Sequence, residues 1–328
     1  MEQIFMDLKK LSAKIIDNNY LINRREALDL ANCDLDALGE SAKNITEAFF
    51  SDKIELCAIS NGKCGRCSED CKFCAQSRHF KTNIEPAPLK DNQTLYKEAE
   101  YNAERGVHRF SVVTSGALLS KRELERLALG YQEISSKLNI KCCGSLGLLS
   151  YADFLMLKEH GMTRVHNNIE TSRRFFPQIC TTHTFEQKIK CVEDAKKAGL
   201  EVCSGCIIGM GETLEDRIDI ALELQRLGVV SCPINILNPI KGTPLENAQP
   251  LALDEIKLTV ALFRHILPRV VLRLAGGRIK IKDDFSALYD FGINAMISGD
   301  MLTTAGLSIA SDQSAIIASH HKAALIEA

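Results

Sequence analysis

Three cysteines, Cys67, Cys71 and Cys74, follow one another in a C-x3-C-x2-C spacing. Thiolates are the usual ligands of iron–sulfur clusters, and a cubane has four irons. Three ligands leave one iron open, and an open iron binds a substrate instead of only passing electrons. Cys64 extends the run to C-x2-C-x3-C-x2-C, which invites a zinc-knuckle reading. Structural zinc sites of that kind separate their two pairs by roughly 15–20 residues, so this run is too tight. Zinc or a disulfide remains the lesser alternative, and Cys64 reads as a bystander.

The elements that must position this loop follow from hydrophobic periodicity. An apolar stretch at 54–60 precedes the triad, and strand-like runs recur at 109–115, 140–147, 164–171, 201–209, 231–237, 270–277 and 295–299. Helical patterns at 95–105, 121–138, 151–160, 185–198, 214–227 and 254–267 fill the gaps. Gly106, Gly161, Gly199 and Gly228 each sit just past a helix, where a left-handed residue is favoured. Eight β-then-α units predict an α/β fold, a (βα)8 TIM-type barrel, with a six-stranded open barrel as the alternative. Residues 1–50 read as an N-terminal helical extension, 51–305 as the barrel and 306–328 as a C-terminal helical tail. Active sites of such barrels lie at the C-terminal ends of the strands, where the triad falls.

The chain has 328 residues, enough for a large core, with 40 basic against 42 acidic side chains. That balance points away from nucleic acid and anionic membranes. The N-terminus has no apolar secretion signal and no run approaches a membrane span, so a cytoplasmic location is expected. There, the 13 cysteines read as reduced thiols, several of them metal ligands.

Polar residues inside buried strands carry information, and side-chain alternation sorts them. Cys203, Gly205 and Ile207 share one face, and Val202, Ser204 and Cys206 the other. Cys143 and Ser145 oppose Cys142, while His166, Asn168 and Glu170 fall together. Arg273 and Asn235 sit mid-strand, and a buried arginine needs a strong partner. A buried cysteine is often only a small hydrophobe. Two thiols and an arginine on separate strands also suit a second cluster deep in the barrel.

The triad with Ala75-Gln76-Ser77 resembles the radical-SAM superfamily. Further stretches resemble the biotin synthase family over nearly the whole chain. These are Asn168-Ile-Glu-Thr-Ser, Cys180-Thr-Thr-His-Thr, Val202-Cys-Ser-Gly, Ile207-Ile-Gly-Met-Gly-Glu-Thr, Pro233-Ile-Asn-Ile-Leu, Lys241-Gly-Thr-Pro-Leu and Arg273-Leu-Ala-Gly-Gly-Arg278. The resemblance implies radical insertion of sulfur into dethiobiotin, using a [4Fe-4S] cluster on Cys67, Cys71 and Cys74 to cleave S-adenosylmethionine. It implies an auxiliary cluster, [2Fe-2S] or larger, as sulfur donor on Cys143, Cys203 and Arg273. Asn168 and Glu170 would meet the adenosyl ribose, Asn168 and Asn235 the ureido ring of dethiobiotin, and Lys188 the carboxylate of S-adenosylmethionine. Gly209 and Gly211 would let backbone approach the cofactor, and no side chain is assigned as a general base. A reductant such as flavodoxin or ferredoxin and a homodimer complete the implied set, with 151–160 and 309–328 as candidate packing faces.

The chain departs from the family pattern at Ser111, which stands where a further auxiliary cysteine is expected. Serine is a poor, hard ligand for iron beside sulfide. The variant of anaerobes also lacks that cysteine and holds a larger cluster, with a cysteine on the fourth strand where Asn167 stands here. Cys142, Cys206 and Cys232 are possible substitutes, but alternation turns all three outward. A bulge at Ser204-Gly205 would turn Cys206 inward. The competing functions are radical chemistry on another substrate, or an iron–sulfur protein that carries clusters without catalysis.

Overall fold

Asp7, Asn23 and Asp34 each stand just before a helix and accept backbone N–H groups of its first turn. Such caps set the starts of α1 (Leu8–Asn18), α2 (Arg24–Leu30) and α3 (Leu35–Phe50). The computed structural model describes residues 6–281, 284–299 and 307–327. After α3 the chain alternates through β1 (Lys53–Lys63), α4 (Asn92–Ala103), β2 (Arg109–Thr114), α5 (Lys121–Lys137), β3 (Lys141–Ser145), α6 (Tyr151–Glu159) and β4 (Met162–His166). It continues through α7 (Phe176–Ile179), α8 (Phe185–Lys197), β5 (Glu201–Cys203), β6 (Cys206–Ile208), α9 (Leu214–Leu227), β7 (Ser231–Ile236), α10 (Leu253–Ile266), β8 (Val271–Leu274) and β9 (Ala295–Ile297). Ser120, Ser150, Thr184 and Thr213 begin four of these helices with reciprocal capping boxes.

Every barrel ladder is parallel, and β9 pairs back onto β1 through Glu55–Ala295, Leu56–Met296 and Cys57–Ile297. The sheet is therefore closed, as the (βα)8 expectation requires and an open six-stranded barrel does not. β5 and β6 form one interrupted stave, both pairing with β7. The interruption falls at Ser204-Gly205, where a bulge was expected. A Cβ on Gly205 would lie 2.0 Å from the Pro233 carbonyl oxygen, so the neighbouring stave comes too close for any side chain. Gly205→Ala is expected to lower stability by about 1–3 kcal/mol through overpacking. The urea midpoint checks this, and an unchanged midpoint would mean that the two staves part freely.

One apolar layer joins the outward strand faces (Leu56, Phe110, Val165, Val202, Leu272) to helix residues such as Leu95, Leu124, Leu224 and Phe263. Among the described residues of the tail, the helix is α11 (Ile309–Ala318); beyond it β10 (Lys322–Ala323) pairs in parallel with Lys53 and Ile54. The expected barrel–tail boundary at 305–306 lies outside the described residues.

Candidate active site

The inward strand faces surround a cavity of about 310 Å³. Cys57, Ser111, Cys143, Cys203 and Arg273 all line it. Register explains the convergence. Ser111 pairs with Cys143, Cys143 with Arg164, His166 with Cys203, and Pro233 with Arg273. Residues paired across a parallel ladder point the same way, so one belt of the wall collects them.

Cys57 was not anticipated as a site residue. Its signal was present: Glu55, Cys57 and Ile59 alternate with Leu56 and Ala58 along β1, and the odd positions face inward. Cys142, Cys206 and Cys232 are buried but do not line the cavity, as alternation required. The break at Ser204-Gly205 does not turn Cys206 inward. Ile207 keeps the inward position, and Cys206 joins the outer apolar layer.

The cavity floor is charged. Glu55 is fully buried, with Arg109 Nε at 2.9 Å, Arg164 Nη1 at 3.6 Å and Arg273 Nη2 in direct ion-pair contact. Glu201 adds contacts to Arg109 at 3.4 Å and to Arg164 at 2.8 Å. Burial pushes the Glu55 carboxyl up, but Arg273, Arg109 and Arg164 together hold it at about 2. Three guanidinium groups thus face two carboxylates. Among the described residues, Arg164 Nη1 and Nη2 and Ser111 Oγ find no hydrogen-bond partner, Nη1 having only the 3.6 Å ion pair with Glu55. Buried donors of this kind are costly unless something accepts from them. Burial also raises the Cys203 thiol, yet a hydrogen bond and charge from His166, with Arg273 and Arg164, outweigh it and bring the thiol to about 6. Burial pushes the Cys57 thiol up to about 12. The surplus positive charge, the orphaned donors and the three thiols fit an anionic iron–sulfur group held by sulfur ligands.

At the mouth, the triad loop is pinned by its own backbone. Cys67 N–H donates to Gln76 O at 2.9 Å, Arg78 N–H to Cys67 O at 2.9 Å, and Cys74 N–H to Cys71 O at 2.9 Å. Cys67, Cys71 and Cys74 are half-buried free thiols, and Cys74 reaches the cavity itself. This soft, preformed donor set fits a cubane. Asn168, Glu170 and Asn235 line the cavity between mouth and floor. Asn168 Oδ1 accepts the Gly205 N–H at 3.0 Å. Asn235 donates to Cys206 O at 2.9 Å and accepts from Gly276 N–H at 2.8 Å. Each amide is oriented and keeps an N–H for a ligand.

Glu170 has φ 67, a conformation uncommon for a residue with a long side chain. Its backbone bridges to Gly205 and Ile207, which aims the carboxylate at the cavity. Burial raises this carboxyl, against Lys188, His166 and His183. Lys188 Nζ lies 3.7 Å from Glu170 Oε1 but is not part of the cavity wall. Gly209 and Gly211 also lie off the wall, with φ 94 and 106. Their loop is tied by Glu212, which accepts from the Gly209 and Met210 N–H groups, and it packs Met210 in a small cluster that includes Phe73 of the triad loop.

A closed parallel barrel with an incompletely ligated cluster loop at its mouth defines a radical SAM enzyme. Residues 63–224 match the Radical SAM superfamily and 233–321 the Biotin and Thiamin Synthesis associated domain. The chain belongs to the biotin synthase family. It is 51% identical over 305 residues to biotin synthase of Clostridium botulinum (strain Alaska E43 / Type E3), covering 93% of this chain and 96% of that one. It is 44% identical over 308 residues to that of Brachyspira hyodysenteriae, covering 94% and 92%. Among solved structures, methylornithine synthase superposes with TM-score 0.82 at 17% identity, covering 96% of this chain and 97% of that chain. At that identity the likeness speaks for the barrel alone. A [4Fe-4S] cluster, S-adenosylmethionine and an auxiliary iron–sulfur cluster are the cofactors of this chain.

Proposed function

We propose that this barrel inserts sulfur into dethiobiotin to form biotin, with Cys67, Cys71 and Cys74 holding the cubane and Cys57, Cys143, Cys203 and Arg273 surrounding the auxiliary cluster. The observation that carries this assignment is the meeting of three thiols and an arginine in one cavity directly beneath the triad's mouth. When bound, the cubane and S-adenosylmethionine supply a hydrogen-abstracting radical, and the auxiliary cluster supplies sulfide.

The protein's own contribution is position and dryness. Asn168 and Asn235 present oriented amides that match the donors and acceptors of a ureido ring. Glu170 offers its carboxylate to the ribose hydroxyls, and Lys188 neutralises that carboxylate from behind. Ile59, Val113, Ile207, Ile236 and Ile297 give the cavity an apolar wall that seats an alkyl chain and excludes water. No side chain is needed as a general base. The same reading includes a flavodoxin- or ferredoxin-type reductant, a homodimer, cytoplasmic residence, and the division at 1–50, 51–305 and 306–328. No helix among the described residues is long and apolar enough to cross a membrane.

The test uses anaerobically reconstituted protein with dithionite, S-adenosylmethionine and dethiobiotin, read by mass spectrometry. Biotin together with 5′-deoxyadenosine is expected. Deoxyadenosine without biotin would discard the substrate, and neither product from iron-loaded protein would favour a cluster carrier.

A further inference from the structure

The triad loop rests on 179–183, and there it meets donors that the sulfur chemistry does not use. Cys71 Sγ lies 3.7 Å from Cys180 Sγ, and Cys180 Sγ lies 3.3 Å from His183 Nδ1. One ligand atom from each of Cys71, Cys180 and His183 falls within 4.8 Å of the other two. In tetrahedral zinc sites the Zn–S bond is about 2.3 Å and the Zn–N bond about 2.0–2.1 Å, so sulfur–sulfur edges are about 3.8 Å and sulfur–nitrogen edges about 3.5 Å. The separations that Cys180 makes, 3.7 Å to Cys71 Sγ and 3.3 Å and 3.9 Å to the two ring nitrogens of His183, agree to within a few tenths of an ångström.

The arrangement is braced from both sides. Lys72 N–H donates to Ile179 O at 3.0 Å, and Asp70 accepts from the Thr181 N–H at 2.8 Å and the Thr182 N–H at 3.2 Å. Cys180 and His183 are buried. Glu69 Oε2 lies 2.6 Å from His183 Nδ1 and accepts its N–H, which leaves Nε2, 3.9 Å from Cys180 Sγ, as the ring's free lone pair.

We propose that, before the triad receives iron and sulfide, Cys71, Cys180 and His183 bind a single thiophilic divalent cation such as Zn²⁺ through both sulfurs and the His183 Nε2, with solvent closing the fourth position. Binding takes both sulfurs as thiolates and releases their protons to solvent. Cys71 cannot serve the cation and the cubane together, so the two occupancies exclude one another. The site is thus a competing metal position at the entrance to cluster assembly. It stands on this geometry whether or not the chain acts on dethiobiotin.

The experiment titrates anaerobic, iron-free, full-length protein with Co²⁺ and then displaces it with Zn²⁺, following thiolate-to-cobalt and tetrahedral ligand-field absorption. The double variant Cys67→Ala/Cys74→Ala, which keeps Cys71, is expected to retain these bands. Cys180→Ser and His183→Ala are each expected to weaken Zn²⁺ by at least about tenfold, since even indirect partners of a metal ligand are worth 10–100-fold. Circular dichroism checks that the variants fold. Pre-bound Zn²⁺ should slow cluster reconstitution in the unmodified chain and much less in Cys180→Ser. Loss of the bands in the double variant, with Cys180→Ser unaffected, would place the cation on the triad and overturn the proposal. So would equal slowing of reconstitution in both chains.

Discussion

Cys57→Ala is expected to keep making 5′-deoxyadenosine while losing biotin formation by about a hundredfold or more. The two outcomes separate because Cys57 faces the deep belt with Cys143 and Cys203, whereas the triad sits in the loop beyond β1. A first-row metal–sulfide group prefers thiolate to a serine hydroxyl, so Cys57 is the better partner for the site that Ser111 leaves short. Removing a direct ligand costs at least the 10–100-fold typical of the groups behind one. The decisive readout is composition rather than turnover. The variant should lose auxiliary iron and sulfide after reconstitution yet keep the complement of one cubane. Ser111→Ala should lose far less. Full iron and sulfide with normal biotin output in Cys57→Ala would reduce this thiol to a packing residue.

Glu55→Gln is expected to be the most destabilising substitution in the floor. The carboxylate is fully buried and pairs with Arg273, Arg109 and Arg164. Breaking a buried network by removing one partner typically costs about 3–5 kcal/mol, because the opposite charges stay buried. The depressed carboxyl points the same way. A fall from 4.5 to about 2 corresponds to roughly 3 kcal/mol of linkage. Its sign follows from the depression: this stability is complete above about pH 4.5 and is lost as pH falls through about 2. Urea unfolding of the cluster-free chain at neutral pH and near pH 3 tests both claims. Glu55→Gln should lower the neutral midpoint strongly and flatten its dependence on acid. An unshifted midpoint would mean that water or a rearranged Glu201 compensates for the missing charge.

How much of this was legible depends on range. The eight staves were readable because each is a local apolar run, and inward thiols on β3 and β5 followed from alternation. Arg273 announced its need for a partner, but the partner, Glu55, lies 218 positions away and no local pattern names it. Alternation on β1 marked Glu55 and Cys57 just as clearly. A single acid and a single thiol in the apolar stretch at 54–60 carry no further local sign of what they face. The break at Ser204-Gly205 was anticipated, but its effect was not. The stave resumes in phase: Cys203 pairs with Ser231 and Cys206 with Ile234, so the register against β7 is the same on both sides of the break. At the end of the tail, helical periodicity predicts helix, and the pairing of Lys322 and Ala323 with Lys53 and Ile54 is invisible to it.

The seam between β9 and β1 has a further consequence, for the order of assembly. It joins the two most distant strands of the barrel in sequence, and contacts of such separation are slow to form. Until that seam zips, β1 has a free edge, and the face carrying Glu55 and Cys57 is open along the side of an incomplete wall. Once it closes, Glu55 and Cys57 are buried, and Cys57 faces the cavity that Cys74 of the triad loop also lines. The folding clock therefore divides the chain's life into an early period of lateral access to the deep thiols and a later one in which a closed wall surrounds them.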